Sequence, residues 1–517
     1  MRLTEDDLKQ LDEEYLSRLS PEQLLRLSEK LLHDLREARD RLNEGPQNSS
    51  RPSGSYAPWE QAGFADKQKA SEEIDGSAED QPKETERPEV EALGAKEKGT
   101  AERGSQRKAG KQPGAPGFGR RVEIAVTGEV HHRATECRGC GARFAEEAPF
   151  QATTGRYVLD LEKQAAGLQV SHVKHIYGDR RCDCGHVTQT KPGRCAAEEG
   201  WTVGLTEWHL VGPTLSALII CLSLRMRLSR PRIREFLQDW LSISLSTGCI
   251  NQCITEGGRA AAPLEEELIA EVQKSALLYA DETGWKENGR PVWLWVLRTA
   301  SATLYIIGSR SWTVIADMMA QFGGWLMSDG YGQYRHYGQR LRCLAHIIRK
   351  ARGLAESCHP EAAEFGEKVL ENIGRFIKGV YAARGDPNLD LPERFSPELA
   401  QLKKLCQKHR DHPHDKTKKL ARELLNDWDA IWTVLAHPQL PLTNHLAEQA
   451  LRHWVIARKI SYGTRNPQGS RAFTLLASVI DTCRQRDVSP WPYIAAVIAA
   501  RRKGDPPPPL PLPLPVP

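Results

Sequence analysis

Leu24, Leu31, Leu35 and Leu42, with Ser28 and Ala38 in the same seam, recur at steps of four and three. This pattern predicts an amphipathic helix within residues 1–45. The stripe spans about three heptads, which fits a short dimerising coiled coil or a helix folded onto its own chain. Periodicity vanishes over residues 46–120, which are rich in Gly, Pro, Ser, Glu and Lys and end in the basic stretch RKAGKQPGAPGFGR. So few apolar groups cannot offset the entropy of ordering, and a disordered linker is expected. Residues 121–199 carry short alternating runs (VEIAV, RYVLDL, GLQVSHVKHI) that predict strands. Residues 200–270 turn helical. Residues 271–350 read as three strands, a helix and a fourth strand, then a further strand and helix. Residues 351–435 are helical and charged, and 436–503 end in more helix. The proline-rich tail, 504–517, is expected to be extended and disordered.

Composition narrows this picture. At 517 residues the chain has room for about three domains. Its net charge of +4 says little about partners, so local clusters must carry that inference. The most apolar stretch, VGPTLSALIICLSL, is interrupted by Gly212, Pro213 and Ser216, so no membrane span is expected. The acidic N-terminus lacks the apolar core of a secretory signal. A cytoplasmic protein follows, in which twelve cysteines read as thiols and metal ligands rather than disulfides.

Two cysteine pairs stand out, ECRGCG at 136–141 and RRCDCGH at 180–186. Two such knuckles can close on one tetrahedral Zn²⁺ as a zinc ribbon, through Cys137, Cys140, Cys182 and Cys184. His186 or Cys195 can replace one ligand, because the second pair is C-x-C. Downstream, RLSRPRIREFLQDWLSISLSTGCINQCITEG at 227–257 reads as helix, turn, helix. Ile233, Phe236 and Leu237 mark the inner face of the first helix. Ser244 or Ser246 caps the second, which buries Ile250 and Ile254. Asn251 and Gln252 would then be exposed where a recognition helix reads base edges, with Arg225, Arg227, Arg230, Arg232 and Arg234 nearby for the backbone. An ordinary helical hairpin fits the same pattern equally well.

Candidate chemistry lies further on. ALLYAD ends in Asp281 and WLMSD in Asp329. Three strands, a helix and a fourth strand is the order of an RNase H-like sheet, whose first and fourth strands are neighbours, so the two carboxylates would converge. NHLAEQALRHWVIARK predicts an amphipathic helix with Thr443 as N-cap and Glu448 near its start. Three such carboxylates suffice to hold Mg²⁺, which takes oxygen ligands and, as a pair, drives phosphodiester cleavage. Glu282 should face the opposite side of the sheet. Arg452, four residues after Glu448, is placed to orient it. Arg458, Lys459, Arg465 and Arg471 suit DNA phosphates, or form a solvated basic face. Cys343 and His346 have zinc-ligand spacing that Cys358 and His359 could complete, although Cys343 ends an apolar strand and reads more simply as buried.

Seven stretches in order resemble the transposases of the insertion-sequence-66 family: QNSSRPSG (47–54), GKQPGAPG, ADETGW (280–285), SDGYGQY (328–334), CLAHIIRK (343–350), TNHLAEQALR (443–452) and GTRNPQGSRA (463–472). The resemblance covers residues 46–503. It implies a DDE-type enzyme, a metal-dependent polynucleotidyl transferase with Asp281, Asp329 and Glu448 as Mg²⁺ (or Mn²⁺) ligands, and a zinc-binding segment near the cysteine pairs. It implies double-stranded DNA, both element ends and target, as substrate. It also implies a homo-oligomer on DNA, nucleoid association and small accessory proteins. Gln449 and Ile460 depart from the family's usual Arg and Asn. The wide spacing between Asp329 and Glu448 implies a helical insertion over 351–435. The expected whole is a multidomain α+β protein. It comprises an N-terminal helix or coiled coil, a zinc ribbon, a helix-turn-helix-like domain and an RNase H-like α/β catalytic core (271–350 and 436–503) split by that insertion. A domesticated, non-catalytic DNA-binding protein and an RNase H-like nuclease that cuts without joining are the alternatives.

Overall fold

The structure, a computed structural model, describes residues 11, 13–43, 124–165, 167–386 and 388–513. The chain separates into two compact units, Met1–Arg121 and Val122–Pro517. The first holds α1 (Glu13–Ser17) and α2 (Pro21–Asn43). Ser20 and Gln23 form a reciprocal cap at the start of α2: the Ser20 N–H donates to Gln23 Oε1 at 2.9 Å, and the Gln23 N–H donates to Ser20 Oγ at 3.3 Å. Leu24, Leu31 and Leu35 of the expected seam are exposed on the single chain. The expected linker, and the side chains of Ala38 and Leu42, lie outside the described residues.

The second unit mixes helices with two sheets. Its first sheet contains β1 (Gly128–His132), β2 (Gln151–Gln164), β3 (Gly167–Arg181) and β4 (Val187–Gln189), in order β1-β3-β2 with β4 also on β3. Two of the short apolar runs legible in the sequence, RYVLDL and GLQVSHVKHI, lie in one long antiparallel hairpin, β2–β3, whereas the described residues of VEIAV, 124–126, precede β1 and form no strand. Gly167, with φ of +121°, makes its turn possible. Asp160 leaves this hairpin to cap α3 (Pro213–Leu224), accepting N–H bonds from Leu215 at 2.7 Å and Thr214 at 3.4 Å. Gly212 is required at that junction, since a Cβ there would sit 2.2 Å from the Asp160 carboxyl carbon.

Next come α4 (Arg230–Leu241), α5 (Thr247–Ala261) and α6 (Leu264–Lys274). Ser246 caps α5, its side chain accepting from the Cys249 N–H. Ile233, Leu237, Ile250 and Ile254 are buried, as the apolar spacing requires.

The second sheet has five strands: β5 (Leu277–Glu287), β6 (Arg290–Arg298), β7 (Thr303–Gly308), β8 (Trp325–Ser328) and β9 (Arg340–Arg342), in order β7-β6-β5-β8-β9. β5, β6 and β7 form an antiparallel meander, and β8 and β9 add parallel. The crossover from β7 to β8 contains α7 (Thr313–Met319). Helices α8 (Leu344–Ala355), α9 (Pro360–Gly385), α10 (Leu391–Arg394), α11 (Ser396–Lys408), α12 (Asp415–Asn426) and α13 (Trp428–Ala436) intervene before α14 (His445–Ser461), α15 (Pro467–Gln485) and α16 (Pro490–Lys503). α15 covers the edge strand β7, where Ser478 Oγ and Thr482 Oγ1 accept N–H bonds from Tyr305 and Thr303.

The tail corrects one expectation. Through Pro511 it packs on the body instead of hanging free: Leu510 is buried, its N–H donates to Glu267 at 2.9 Å, and Tyr493 and Arg486 donate to the carbonyls of Pro508 and Pro511. Polyproline has no internal hydrogen bonds, so its carbonyls are free for such donors. No helix among the described residues is long and apolar enough to cross a membrane.

Candidate functional site

Parallel pairing of β5 with β8 matches Tyr279 to Met327. Two residues further along each chain stand Asp281 and Asp329, so both carboxylates emerge at the same sheet level. Asp281 Oδ1 accepts the N–H of Glu282, and Asp329 Oδ1 that of Tyr331, each at 2.9 Å. Glu448 comes from the first turn of α14. That helix is fixed to the sheet by Asn444, whose Nδ2 donates at 2.8 Å to the carbonyl of Ala280, next to Asp281. Arg298 adds a bond to the Leu446 carbonyl at 3.1 Å. Asn444, and not Thr443, is the N-cap residue, and its side chain serves the strand rather than the helix end.

The three carboxylates interact. Burial, then the charges of Asp329, Glu282 and Glu448, push the Asp281 carboxyl up to about 7. Among the described residues no Lys or Arg forms an ion pair with Asp281 or Asp329. Glu282, one residue away, is neutralised: Arg310 donates to its Oε1 at 2.8 Å and the buried Tyr334 hydroxyl to its Oε2 at 2.7 Å. Arg310 is itself sandwiched between the rings of Trp293 and Tyr331, each 4.0 Å from the guanidinium carbon.

A second support lies under the Asp329 loop. Asp427, between α12 and α13, accepts from Arg335 at 2.9 Å and Arg340 at 2.6 Å and stands 3.1 Å from the Arg342 guanidinium as an ion pair, while Glu423 pairs with Arg342 and Lys350. The helices between β9 and α14 are thereby bolted to the strand beside Asp329. Sequence reading missed this network, because its partners lie about ninety positions apart and each looks like an ordinary surface charge.

Glu448 is met by His346 and not by Arg452. His346 Nδ1 lies 3.7 Å from Glu448 Oε1, whereas Arg452 is exposed and makes no ion pair with it. Cys343, His346 and Glu448 each offer a ligand atom within 4.8 Å of the others. Although burial opposes it, contact with the His346 imidazole and the N–H groups of Asn444 and His346 holds the Cys343 thiol below its ordinary range. Cys358 and His359 do not complete this cluster: the His359 ring packs on His412 and His414 instead.

The basic residues divide. Arg458 turns inward, donating to Thr283 Oγ1 at 3.1 Å and to the Gly284 carbonyl, and Arg471 pairs with Glu265. Lys459 and Arg465 are exposed. Asn251 and Gln252 are exposed on α5 and line, with Arg227, Arg230, Ile460 and Arg465, a cleft of about 850 Å³.

The cysteine pairs also meet. Cys137, Cys140, Cys182 and Cys184 present sulfurs within 4.8 Å of one another, with Cys137 to Cys184 at 3.7 Å and Cys140 to Cys182 at 3.6 Å. Hydrogen bonds from the backbone at Cys140 and Gly139 pull the Cys137 thiol down to about 6 despite some desolvation. The tetrad is capable of holding a metal ion. Cys195 is elsewhere, donating to Glu198.

The chain is similar to three uncharacterized proteins of Sinorhizobium fredii. It is 29% identical to y4jO over 33% of this chain and 50% of that protein. It is 27% identical to y4jD over 46% and 52%, and 23% identical to y4hP over 61% and 62%. The chain thus spans about half the length of the first of these relatives. A profile described as Transposase IS66 family matches residues 209–472, a stretch that contains both aspartates, the helices after β9 and the Glu448 helix. With half of its length matched, the chain belongs to the Transposase IS66 family.

Proposed function

We propose that this chain is a DNA transposase of the DDE type, with an RNase H-like core in which Asp281, Asp329 and Glu448 hold divalent metal ions. The observation that carries the reading is a buried Asp281 that feels the charges of Asp329 and Glu448, with no Arg or Lys among the described residues paired to either aspartate, beside Glu282, which is paired. The strand order β7-β6-β5-β8-β9, with two carboxylates on the central pair, supports the fold. Crowded, unbalanced oxygen donors suit Mg²⁺ or Mn²⁺. When bound, such ions would make a water more acidic and neutralise the leaving 3′ oxygen of a phosphodiester.

The protein's own part is placement. Asp281 and Asp329 are fixed by backbone N–H bonds on adjacent strands, and Glu448 by the anchorage of α14 through Asn444. A freed 3′-OH held in line with a target phosphate would use the same carboxylates for joining, since both steps are displacements at phosphorus. Arg465, Asn251 and Gln252, which line the cleft between α5 and the end of α14, and the exposed Lys459 are the residues we assign to DNA. The cysteine tetrad is assigned to Zn²⁺, whose tetrahedral preference four thiolates satisfy.

The test is a cleavage and strand-transfer assay with the full chain, Mg²⁺ or Mn²⁺ and DNA carrying the ends of its own element. Asp281→Ala, Asp329→Ala and Glu448→Ala should each abolish cleavage while leaving DNA binding nearly intact, and losses in pairs should not add. Cleavage at near wild-type rate by any of the three would overturn the assignment. Cleavage without joining would favour the nuclease alternative.

A further inference from the structure

Cys343 is the N-cap residue of α8, and His346 lies on its first turn. The C-x-x-H spacing aims both side chains at the start of α14, where Glu448 stands. The Cys343 sulfur is buried and accepts the backbone N–H of Asn444 at 3.2 Å. His346 Nδ1 is buried, has no hydrogen-bond partner, and faces Glu448 Oε1 at 3.7 Å. That separation is too long for a hydrogen bond. It is close to the spacing of two ligands on one tetrahedral ion, since bonds of about 2.0–2.3 Å put neighbouring donors about 3.3–3.8 Å apart.

We propose that Cys343, His346 and Glu448 form a second metal site, for a thiophilic divalent ion of the Zn²⁺ class, whose occupancy draws Glu448 away from Asp281 and Asp329. One sulfur, one imidazole nitrogen and one carboxylate oxygen is a donor set that selects Zn²⁺, Co²⁺ or Ni²⁺ over Mg²⁺. Three protein ligands leave a fourth tetrahedral position free for water or another ligand. The N–H of Asn444 on the sulfur is the outer-shell bond that steadies a metal-bound thiolate. The site is distinct from the cysteine tetrad, which shares no residue with it. Binding needs only these three side chains. The inhibitory consequence rests on the catalytic role proposed above for Glu448, because one carboxylate cannot serve both ions.

The experiment is a Co²⁺ titration of the full-length protein after removal of bound metal, followed by thiolate-to-cobalt absorbance. Two equivalents are expected. The weaker should carry about a quarter of the absorbance of the tighter, one thiolate against four. Cys343→Ser and His346→Gln should each lose the weaker equivalent and keep the tighter, and Cys137→Ser should do the reverse. Cys343→Ser retains an acceptor for the Asn444 N–H, and His346→Gln provides an independent variant should the buried position tolerate serine poorly. A single equivalent in the wild type, or two retained in both variants, would overturn the site. With Mg²⁺ fixed, filling the weaker site with Zn²⁺ should lower DNA cleavage by about tenfold or more in the wild type. Undiminished cleavage with that site filled would overturn the competition for Glu448. Absence of any Mg²⁺-dependent cleavage would instead sink the proposed function, while the Co²⁺ count still decides the site.

Discussion

Asp281 carries a cost that can be measured. Its carboxyl is held near 7, chiefly by burial and then by the charge of Asp329. Between about pH 4 and that value the folded apo protein keeps a proton that the unfolded chain has released. The stability contributed by this proton is complete below about pH 4 and is lost as pH rises through about 7. At about 1.4 kcal/mol per pH unit the loss amounts to a few kcal/mol. Asp281→Asn should therefore change Tm little at pH 5 and raise it by several degrees at pH 8, both in chelator. Adding Mg²⁺ should shrink the difference, because the ion balances the charge that Asn removes. A Tm difference that does not vary with pH would show that Asp281 is not under this stress. Glu282 is a different case. The alternation of a strand separates it from Asp281, but its bonds to Arg310 and Tyr334 make it a structural pair, so its removal should register as lost stability.

At the scale of elements, α14 both presents Glu448 and carries Lys459, while Arg465, the other basic residue assigned to DNA, follows in the connection to α15. The amphipathic spacing of NHLAEQALRHWVIARK was enough to predict the helix and to bring Glu448 to its first turn. It was not enough to sort the cations that follow, because charge alone does not say which side chain finds an internal acceptor. Arg458 finds one on β5 and Arg471 finds Glu265, whereas Lys459 and Arg465 stay exposed. Arg458→Ala should cost about 1–3 kcal/mol in stability, from an unfulfilled carbonyl and lost packing. It should leave the salt dependence of DNA binding unchanged. Lys459→Ala and Arg465→Ala should leave Tm unchanged and each lower the slope of log K against log salt by about 1. The opposite pattern would mean that Arg458 leaves β5 for DNA and that the exposed pair is merely solvated.

For the whole molecule, the cysteine tetrad links residues more than forty positions apart and closes the irregular segment between β1 and β2 onto the end of β3. Metal analysis of protein purified without chelator should find one tightly held Zn²⁺ per chain. Cys137→Ser should lose it together with a lower Tm, and Cys195→Ser should keep it. Retention of the ion by Cys137→Ser would remove the tetrad from the assignment. The proline-rich tail is also decided at this scale. Leu510 is buried and the tail's carbonyls are taken up by Tyr493 and Arg486, so truncation after residue 504 should destabilise the body.

Local spacing was sufficient wherever the physics is local. Helix α14, the caps at Ser246 and the sheet-end aspartates follow from periodicity and capping, because neighbours in sequence are neighbours along an element. The two cysteine pairs belong here too: each knuckle is a short turn, so its chemistry can be read from its own residues. The sequence also carries the family, through motifs whose order is independent of the fold's details. Tertiary structure alone decided the partners. His346 rather than Arg452 faces Glu448, Asn444 ties α14 to β5, Asp427 gathers three arginines, and the second cysteine pair rather than Cys195 completes the tetrad. Each of these contacts joins side chains from different elements. Which of several equivalent charges or thiols is used depends on distances of a few ångströms set by packing, and sequence separation carries no information about those distances.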